Sequence, residues 1–362
     1  MEMRNEGLYL KTNDNNGKTY KKVKSMRSQM LSRYIYRRSV AVIVAVCVLI
    51  LIFALCCFPQ LPFISEERTK QIRVGLSWSH EAQFAGLYWA DKHGYYREEG
   101  LDVEFVPYTG EDLARALVDQ KYDFALLQTD TLILARARGL RVKAVFADYQ
   151  LLPTCFFSKK HANITKPEHL IGKTVGVTYS ERYPLLAMLM KKGINPSYVK
   201  IVERDPSLGY SALADGSLDV EAGWITDDET VRAAVGEYNV IYCYDYGVNW
   251  YADIIATTDD MITHDRETVE KFVSATARGW RDAIANADEA ALLAEEYESS
   301  LNESHLKHVL ECSIPLIFIG DRPLGWMDES AFRNAQEILV KLGTLQNQID
   351  VNTLFTTEFI KI

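Results

Sequence analysis

Cysteine is scarce in this chain: six among 362 residues, three of them (Cys47, Cys56, Cys57) in or beside one apolar stretch and three (Cys155, Cys243, Cys312) far apart in the rest. An odd number at such spacings excludes a disulfide framework and forms no metal-ligand motif, so no metal ligand is expected. Catalytic signatures are missing as well. There is no HExxH, no GxxxxGK[ST] loop, no GxGxxG and no Ser-His-Asp succession in chain order, which removes the commonest metalloprotease, nucleotide-hydrolase, dinucleotide and triad readings. No catalytic residue and no cofactor are expected. Low-complexity tracts are absent too, and with 48% hydrophobic and 25% charged residues the composition is that of a folded chain long enough for two domains.

Only one long hydrophobic run exists. Residues 40–58 carry no charge over nineteen positions, enough for a helix of roughly 28 Å. Residues 1–38 hold ten Lys/Arg against three Asp/Glu, whereas the remainder holds 30 against 46. Basic residues on the near side of an apolar span place that side in the cytoplasm. The expected order is therefore a basic cytoplasmic tail (1–38), a single transmembrane anchor (39–58), a linker (59–70) and an extracytoplasmic body. The anchor is read as uncleaved, with lipidation at Cys57 as the alternative; either keeps the body at the cell membrane.

The body opens on IRVGLSWSHEAQFAGLYWADKHGYYREEGLDVEFV, residues 72–106. It reads as strand, helix, strand: an apolar run to Trp78, a polar turn, a helix with Phe84, Leu87 and Tyr88 on one face, a stop at Gly94, and a strand alternating Leu101, Val103 and Phe105 with Asp102 and Glu104. The alternation of helix and strand continues, and GKTVGVTYS at 172–180 restarts it. One internal echo supports two similar halves: ALVDQKYDFA (116–125) aligns without gaps with ALADGSLDVE (212–221). Toward the C-terminus, Val269, Phe272, Val273, Thr276, Trp280 and Ile284 form one helical stripe, and Asp328 is placed to cap a helix carrying Phe332, Ala335, Ile338, Leu339 and Leu342.

In open parallel sheets ligands bind beyond the carboxyl ends of the strands. Candidate ligand contacts there are Ser77, Trp78 and His80, then Gln128 and Thr129 with Asp130 beside them, then Tyr179, Ser180 and Glu181, then Trp224 and Asp228, and later Tyr246 and Trp250. Indoles can stack on a flat heterocycle, and a carboxylate can accept from its exocyclic amine. Plainer readings stand beside these: Asp227 and Asp130 suit helix caps, His80 suits a cap or a cleft wall, and His305 and His308 suit a solvated helix face.

The stretch from Trp78 through AGLYWADKHGYYREEGLDVEFVPYTG, with PLGWMDESAF and IDVNTLFTTEFI near the end, resembles the extracytoplasmic solute-binding proteins of ABC importers that take up aminopyrimidine thiamine precursors. The likeness covers about residues 72–360. It implies an α/β, two-lobed periplasmic-binding-protein fold of type II, with a hinge and a central cleft. Lobe one would be 71–151 plus 256–362 and lobe two 152–255. It also implies a small-molecule ligand of the thiamine-type aminopyrimidine class, an ABC permease as membrane partner, and no nucleic acid. In those relatives an aromatic followed four residues later by an acid reads the ring, a spacing that Trp224 and Asp228 match. Ser77 stands where they usually carry Asp, and Asp228 where they carry Glu.

A sensory module signalling through the membrane helix is the alternative from another class. The fungal thiamine-pyrimidine synthase is similar too, but its cofactor Lys and sacrificial His align with Leu127 and Thr131 here. An enzyme of that type is not expected.

Overall fold

In the computed structural model, residues 32–50, 69–320 and 322–361 are described. The chain divides into two units, 1–67 and 68–362. In the first, residues 32–50 are helical, with Val42, Ile43, Val46, Leu49 and Ile50 all exposed. A helix apolar around its whole circumference is not one designed for water. Among the described residues no helix is long and apolar enough to cross a membrane, and residues 51–58 of the expected span lie outside them.

The second unit begins with β1 (Lys70–Gly75), whose Ile72 and Val74 are buried while Arg73 faces out to Glu104 at 3.0 Å. It pairs in parallel with β2 (Leu101–Val106), Ile72 opposite Val103, and with β3 (Phe124–Leu127). The first sheet is completed by β4 (Val142–Tyr149) and β10 (Ala252–Thr258), in the order β2-β1-β3-β10-β4. The second contains β5 (Thr154–Lys159), β6 (Thr174–Val177), β7 (Lys200–Glu203), β8 (Val220–Trp224) and β9 (Tyr238–Tyr242), in the order β7-β6-β8-β5-β9.

Each sheet has one antiparallel strand, and it occupies the fourth place in both orders: β10 in the first and β5 in the second. Both are the strands the chain enters immediately after leaving the other sheet. An antiparallel strand starts where its parallel neighbours end, so both crossings and all parallel carboxyl ends meet at one junction. The first crossing falls at residues 150–153. The second falls at 243–251, which corrects the expected boundary at 255/256: Ile255 pairs with both Leu126 and Phe146 inside the first sheet. Residues 252–255 therefore belong to the first lobe, because the strand must begin at Ala252 to reach Tyr149.

The two halves repeat at atomic detail. Asp123 and Asp219, equivalent in the aligned decapeptides, each accept a hydrogen bond from the strand in second place in their sheet, β1 or β6, from Arg73 N and Thr174 N at 2.8 Å in both cases. Gln120 and Gly216 are also equivalent, and both have positive φ (58° and 85°), which turns the helix end into the strand. Just after them, Tyr122 and Leu218 lie over Gly75 and Gly176, where a Cβ would come within 2.8 and 2.3 Å of those side chains. Helix, reversal, aspartate and a side chain seated on a glycine form one device used twice.

Two helices fix the first lobe. Ala85–Lys92 crosses Arg266–Ala285 at glycines, since a Cβ on Gly86 would lie 2.1 Å from Trp280 Cδ2 and one on Gly279 2.2 Å from Gly86 O. The expected stripe is buried there, with Ile284 at its edge. Gly86→Ala is expected to cost about 1 to 3 kcal/mol through overpacking, because a buried indole cannot swing aside. Urea unfolding checks this; an unchanged midpoint would mean that the helices separate freely. Asp328 does not cap its helix through its side chain but accepts from Trp326 Nε1 at 3.1 Å and pairs with Arg322. The helix Glu303–Ile317 lies at the first crossing: Leu316 O accepts from Gln150 N and Leu151 N, and Ser313 Oγ bonds Tyr149 Oη at 2.8 Å.

Candidate functional site

The junction of the two sheets brings loops of both lobes together, and the first lobe contributes a network centred on a residue not singled out in the sequence. Asp253, the second residue of β10, is fully buried and has φ +45°. Its Oδ1 accepts from Ser77 Oγ at 2.6 Å and from Gln128 Nε2 at 3.2 Å, and its Oδ2 from Gln83 Nε2 at 3.0 Å. One carboxylate therefore holds the ends of β1 and β3 and the first turn after Glu81. Burial pushes its carboxyl up to about 6, against the three hydrogen bonds that favour the anion. The trace available in the sequence is an acid opening the otherwise apolar strand ADIIATT.

Ser77 and Gln128 are thus committed to Asp253, which leaves Trp78 as the exposed aromatic group of that loop, at 46%. An indole that open immediately after a buried strand is placed for contact rather than for packing. Its counterpart in the second sheet, following β6, is Tyr179, exposed at 62%. Trp224, ending β8, is half-buried with its ring edge-to-face against Tyr149 at 5.4 Å between centroids.

Other candidates have structural duties. Thr129 is buried and exchanges two hydrogen bonds with the Tyr251 backbone. Glu181 is buried and closes a capping box with Thr178, its Oε2 accepting from Thr178 N at 2.6 Å, and Ser180 donates to its Oε1 at 2.9 Å. Trp250 is buried, with Nε1 donating to Asn334 Oδ1 at 3.3 Å. Tyr246 sits under Lys192 Nζ, just past the helix Tyr179–Lys191. Thirteen helical residues span about 20 Å, so Tyr246 and Tyr179 are too far apart to share one small ring. His80 is stacked on Tyr297 and bonded to Tyr88 Oη at 2.9 Å, part of an aromatic wall in the first lobe; burial lowers its pKa.

Asp227 and Asp228 differ in role despite adjacency. Asp227 Oδ2 accepts from Tyr210 Oη at 2.7 Å and Trp224 N at 3.0 Å, bracing the loop that carries Trp224 rather than capping the helix Asp228–Val235. Gly223 is required for this, because a Cβ there would fall 1.9 Å from Tyr210 Oη. Asp228 has both oxygens engaged: Oδ2 accepts from Tyr238 Oη at 3.0 Å and Oδ1 contacts His308 Nε2.

His305 and His308 are not on a solvated face. His305 Nε2 is 3.3 Å from Glu81 Oε2 of the first lobe and its pKa is raised by that hydrogen bond, while His308 reaches Asp228 of the second. Both come from the helix Glu303–Ile317, which thereby touches both lobes. Asp130 supplies a further buried acid: its Oδ2 has no hydrogen-bond partner, its carboxyl accepts from backbone N–H groups of the first helical turn, and burial pushes it up to about 7.

Comparison with known proteins bears on the family and the fold. Residues 81–290 match the family described as NMT1/THI5 like. The chain is 31% identical over 312 residues to the riboflavin-binding protein RibY of Chloroflexus aurantiacus, covering 82% of this chain and 88% of that one. It is 25% identical to the formylaminopyrimidine-binding protein of Halalkalibacterium halodurans, over 70% of this chain and 78% of that one. In fold it is similar to a periplasmic sulfonate-binding protein of an ABC transporter from Methylobacillus flagellatus, with TM-score 0.64, 17% identity, and coverage of 81% of this chain and 93% of that one.

Proposed function

Because the chain belongs to the NMT1/THI5-like family, we propose that it is an extracytoplasmic solute-binding protein that captures a flat nitrogen heterocycle of the riboflavin class between its two lobes and delivers it to an ABC-importer permease. Two relatives similar in sequence over most of the chain are binding proteins by name, and the residues at the junction suit binding rather than bond-making. The apolar segment of residues 39–58, with the basic residues before it, anchors the body to the membrane beside the permease.

The observation that carries the ligand class is that Asp228 is already satisfied on both oxygens. An aminopyrimidine presents its exocyclic amine to an acid, and here that amine would have to compete with Tyr238 and His308, which already orient the matching acid. The position where the pyrimidine-binding relatives usually carry Asp is Ser77, whose hydroxyl is spent on Asp253. What remains open is aromatic surface, Trp78 and Tyr179, which favours a large ring system held by stacking and buried area.

The test is a titration of the full chain in detergent with riboflavin, following the ligand's own fluorescence. Parallel calorimetric titrations use a formylaminopyrimidine and an alkanesulfonate. Riboflavin is expected to bind one to one with strong quenching by the stacked indole, and the pyrimidine at least tenfold more weakly. Tight binding of the pyrimidine or the sulfonate with no response to riboflavin would overturn the ligand class.

A further inference from the structure

Asp228, His308 and Cys312 converge at the lobe junction, with one ligand atom from each lying within 4.8 Å of the others. His308 and Cys312 are four residues apart on the helix Glu303–Ile317 and so share a face; Asp228 comes from the second lobe. The group is half-buried, which leaves an approach from solvent. From this, the geometry points to a binding site for a divalent transition-metal ion of the zinc class, held by Asp228 Oδ1, His308 Nε2 and Cys312 Sγ.

The distances suit such an ion. Tetrahedral zinc bonds imidazole nitrogen at about 2.0 Å and thiolate at about 2.3 Å, which sets those two donors about 3.5 Å apart. His308 Nε2 and Cys312 Sγ are 3.5 Å apart. Asp228 Oδ1 lies closer to Nε2 than two ligands of one ion would, so it moves outward on binding, a rotation its short side chain permits.

The outer partners also fit. Glu229 Oε1 is 3.8 Å from His308 Nδ1, beyond hydrogen-bond reach, and a shift of less than about 1 Å would bring it to the carboxylate position that keeps a proton on Nδ1 and frees the Nε2 lone pair for a metal. Tyr238 Oη holds Asp228 Oδ2 and turns Oδ1 toward the histidine. One thiolate, one imidazole and one carboxylate form a donor set of mixed softness that suits zinc or cobalt better than magnesium or calcium, and three protein ligands leave a position for water.

The donors come from different parts of the fold. The helix with His308 and Cys312 is tied to the first lobe through Ser313–Tyr149 and through Leu316 O at the first crossing. An ion here cross-links that helix to the second lobe.

The experiment uses the untagged full chain in detergent, dialysed against a chelator and titrated with Co²⁺ and then Zn²⁺. The wild type is expected to bind one equivalent, with a thiolate-to-cobalt charge-transfer absorption that zinc displaces, and zinc should raise its unfolding midpoint. Cys312→Ser should abolish that absorption, and His308→Gln and Asp228→Asn should each weaken cobalt binding at least tenfold. A chain in which Cys47, Cys56 and Cys57 are all serine should keep the absorption. The proposal is overturned if the wild type binds neither ion, if Cys312→Ser retains the absorption, or if His308→Gln and Asp228→Asn both bind cobalt like the wild type. In the last case His308 and Asp228 form an ion pair and nothing more.

Discussion

Raising the pH from 5 to 8 is expected to lower the unfolding midpoint of the chain by on the order of 5 to 10 °C, opposite to the behaviour of a protein whose carboxylates are stabilised by partners. The cause is a set of acids whose carboxyls burial pushes up: Asp130 to about 7 and Asp253 to about 6, both from 3.8, Glu221 to about 7, and Asp148 and Asp227 in the same direction. A carboxyl whose folded pKa lies above its unfolded one stabilises the fold below the unfolded value. That contribution is lost as pH rises through the folded value. Each unit of difference is worth about 1.4 kcal/mol, so across the window from pH 5 to 8 Asp130 and Asp253 together remove about 4 kcal/mol, the larger share of that at Asp130, and Glu221 and Asp148 act in the same direction.

His305, whose pKa is raised by Glu81, changes in the same direction, and the acids held low by hydrogen bonds, such as Glu111 at about 2, titrate below this window. Thermal unfolding at a series of pH values reads the slope directly, and Asp130→Asn should flatten part of it, leaving the share of the other raised acids. Asp253→Ala removes the smaller share and has a cost of its own. It leaves Ser77, Gln83 and Gln128 without their acceptor and puts alanine at a positive φ, about 3 to 5 kcal/mol before the relief of the buried charge is counted. That relief is present only where Asp253 is ionised, so the variant should be hurt more at pH 5 than at pH 8. A midpoint that rises with pH in the wild type would show that neither acid is buried as described.

Asp130 and Asp253 also show where sequence reading stops. The decapeptide echo exposed the repeated halves because its helix, reversal and aspartate are local: Asp123 and Asp219 act on strands whose place follows from topology. The carboxyl-edge rule likewise located the loops that meet at the junction. It could not say which side chains in those loops stay free, because that depends on partners distant in sequence. Glu181 is taken by a residue three positions away, a capping pattern that spacing alone reveals, and could have been discounted. Asp228 is taken by His308, eighty residues on, and Ser77 by Asp253, 176 residues on. Such pairings are fixed by the packing of the C-terminal helix and by the second crossing, neither of which leaves a local signature. The misplaced boundary at 255 has the same origin, since a strand that changes sheet carries the same apolar pattern in either one.

Trp78→Ala is expected to weaken riboflavin binding by about 5- to 150-fold, the effect of losing 1 to 3 kcal/mol of stacking and buried area, while leaving the unfolding midpoint nearly unchanged. The two halves of that statement rest on the same fact: Trp78 is 46% exposed in the unliganded chain, so little packing is lost when it is removed. Trp224→Ala should behave differently. That ring packs against the core and meets Tyr149 edge-to-face at 5.4 Å, so its loss should lower affinity and stability together. Trp250→Ala should unfold the chain more readily with no selective effect on the ligand, because the ring is buried and bonded to Asn334. Fluorescence titration and urea unfolding of the three variants separate these cases. If Trp78→Ala binds riboflavin as the wild type does, the indole is not part of the site and the ring is held elsewhere. If its affinity and midpoint fall together, Trp78 is a packing residue whose exposure in the unliganded chain is misleading.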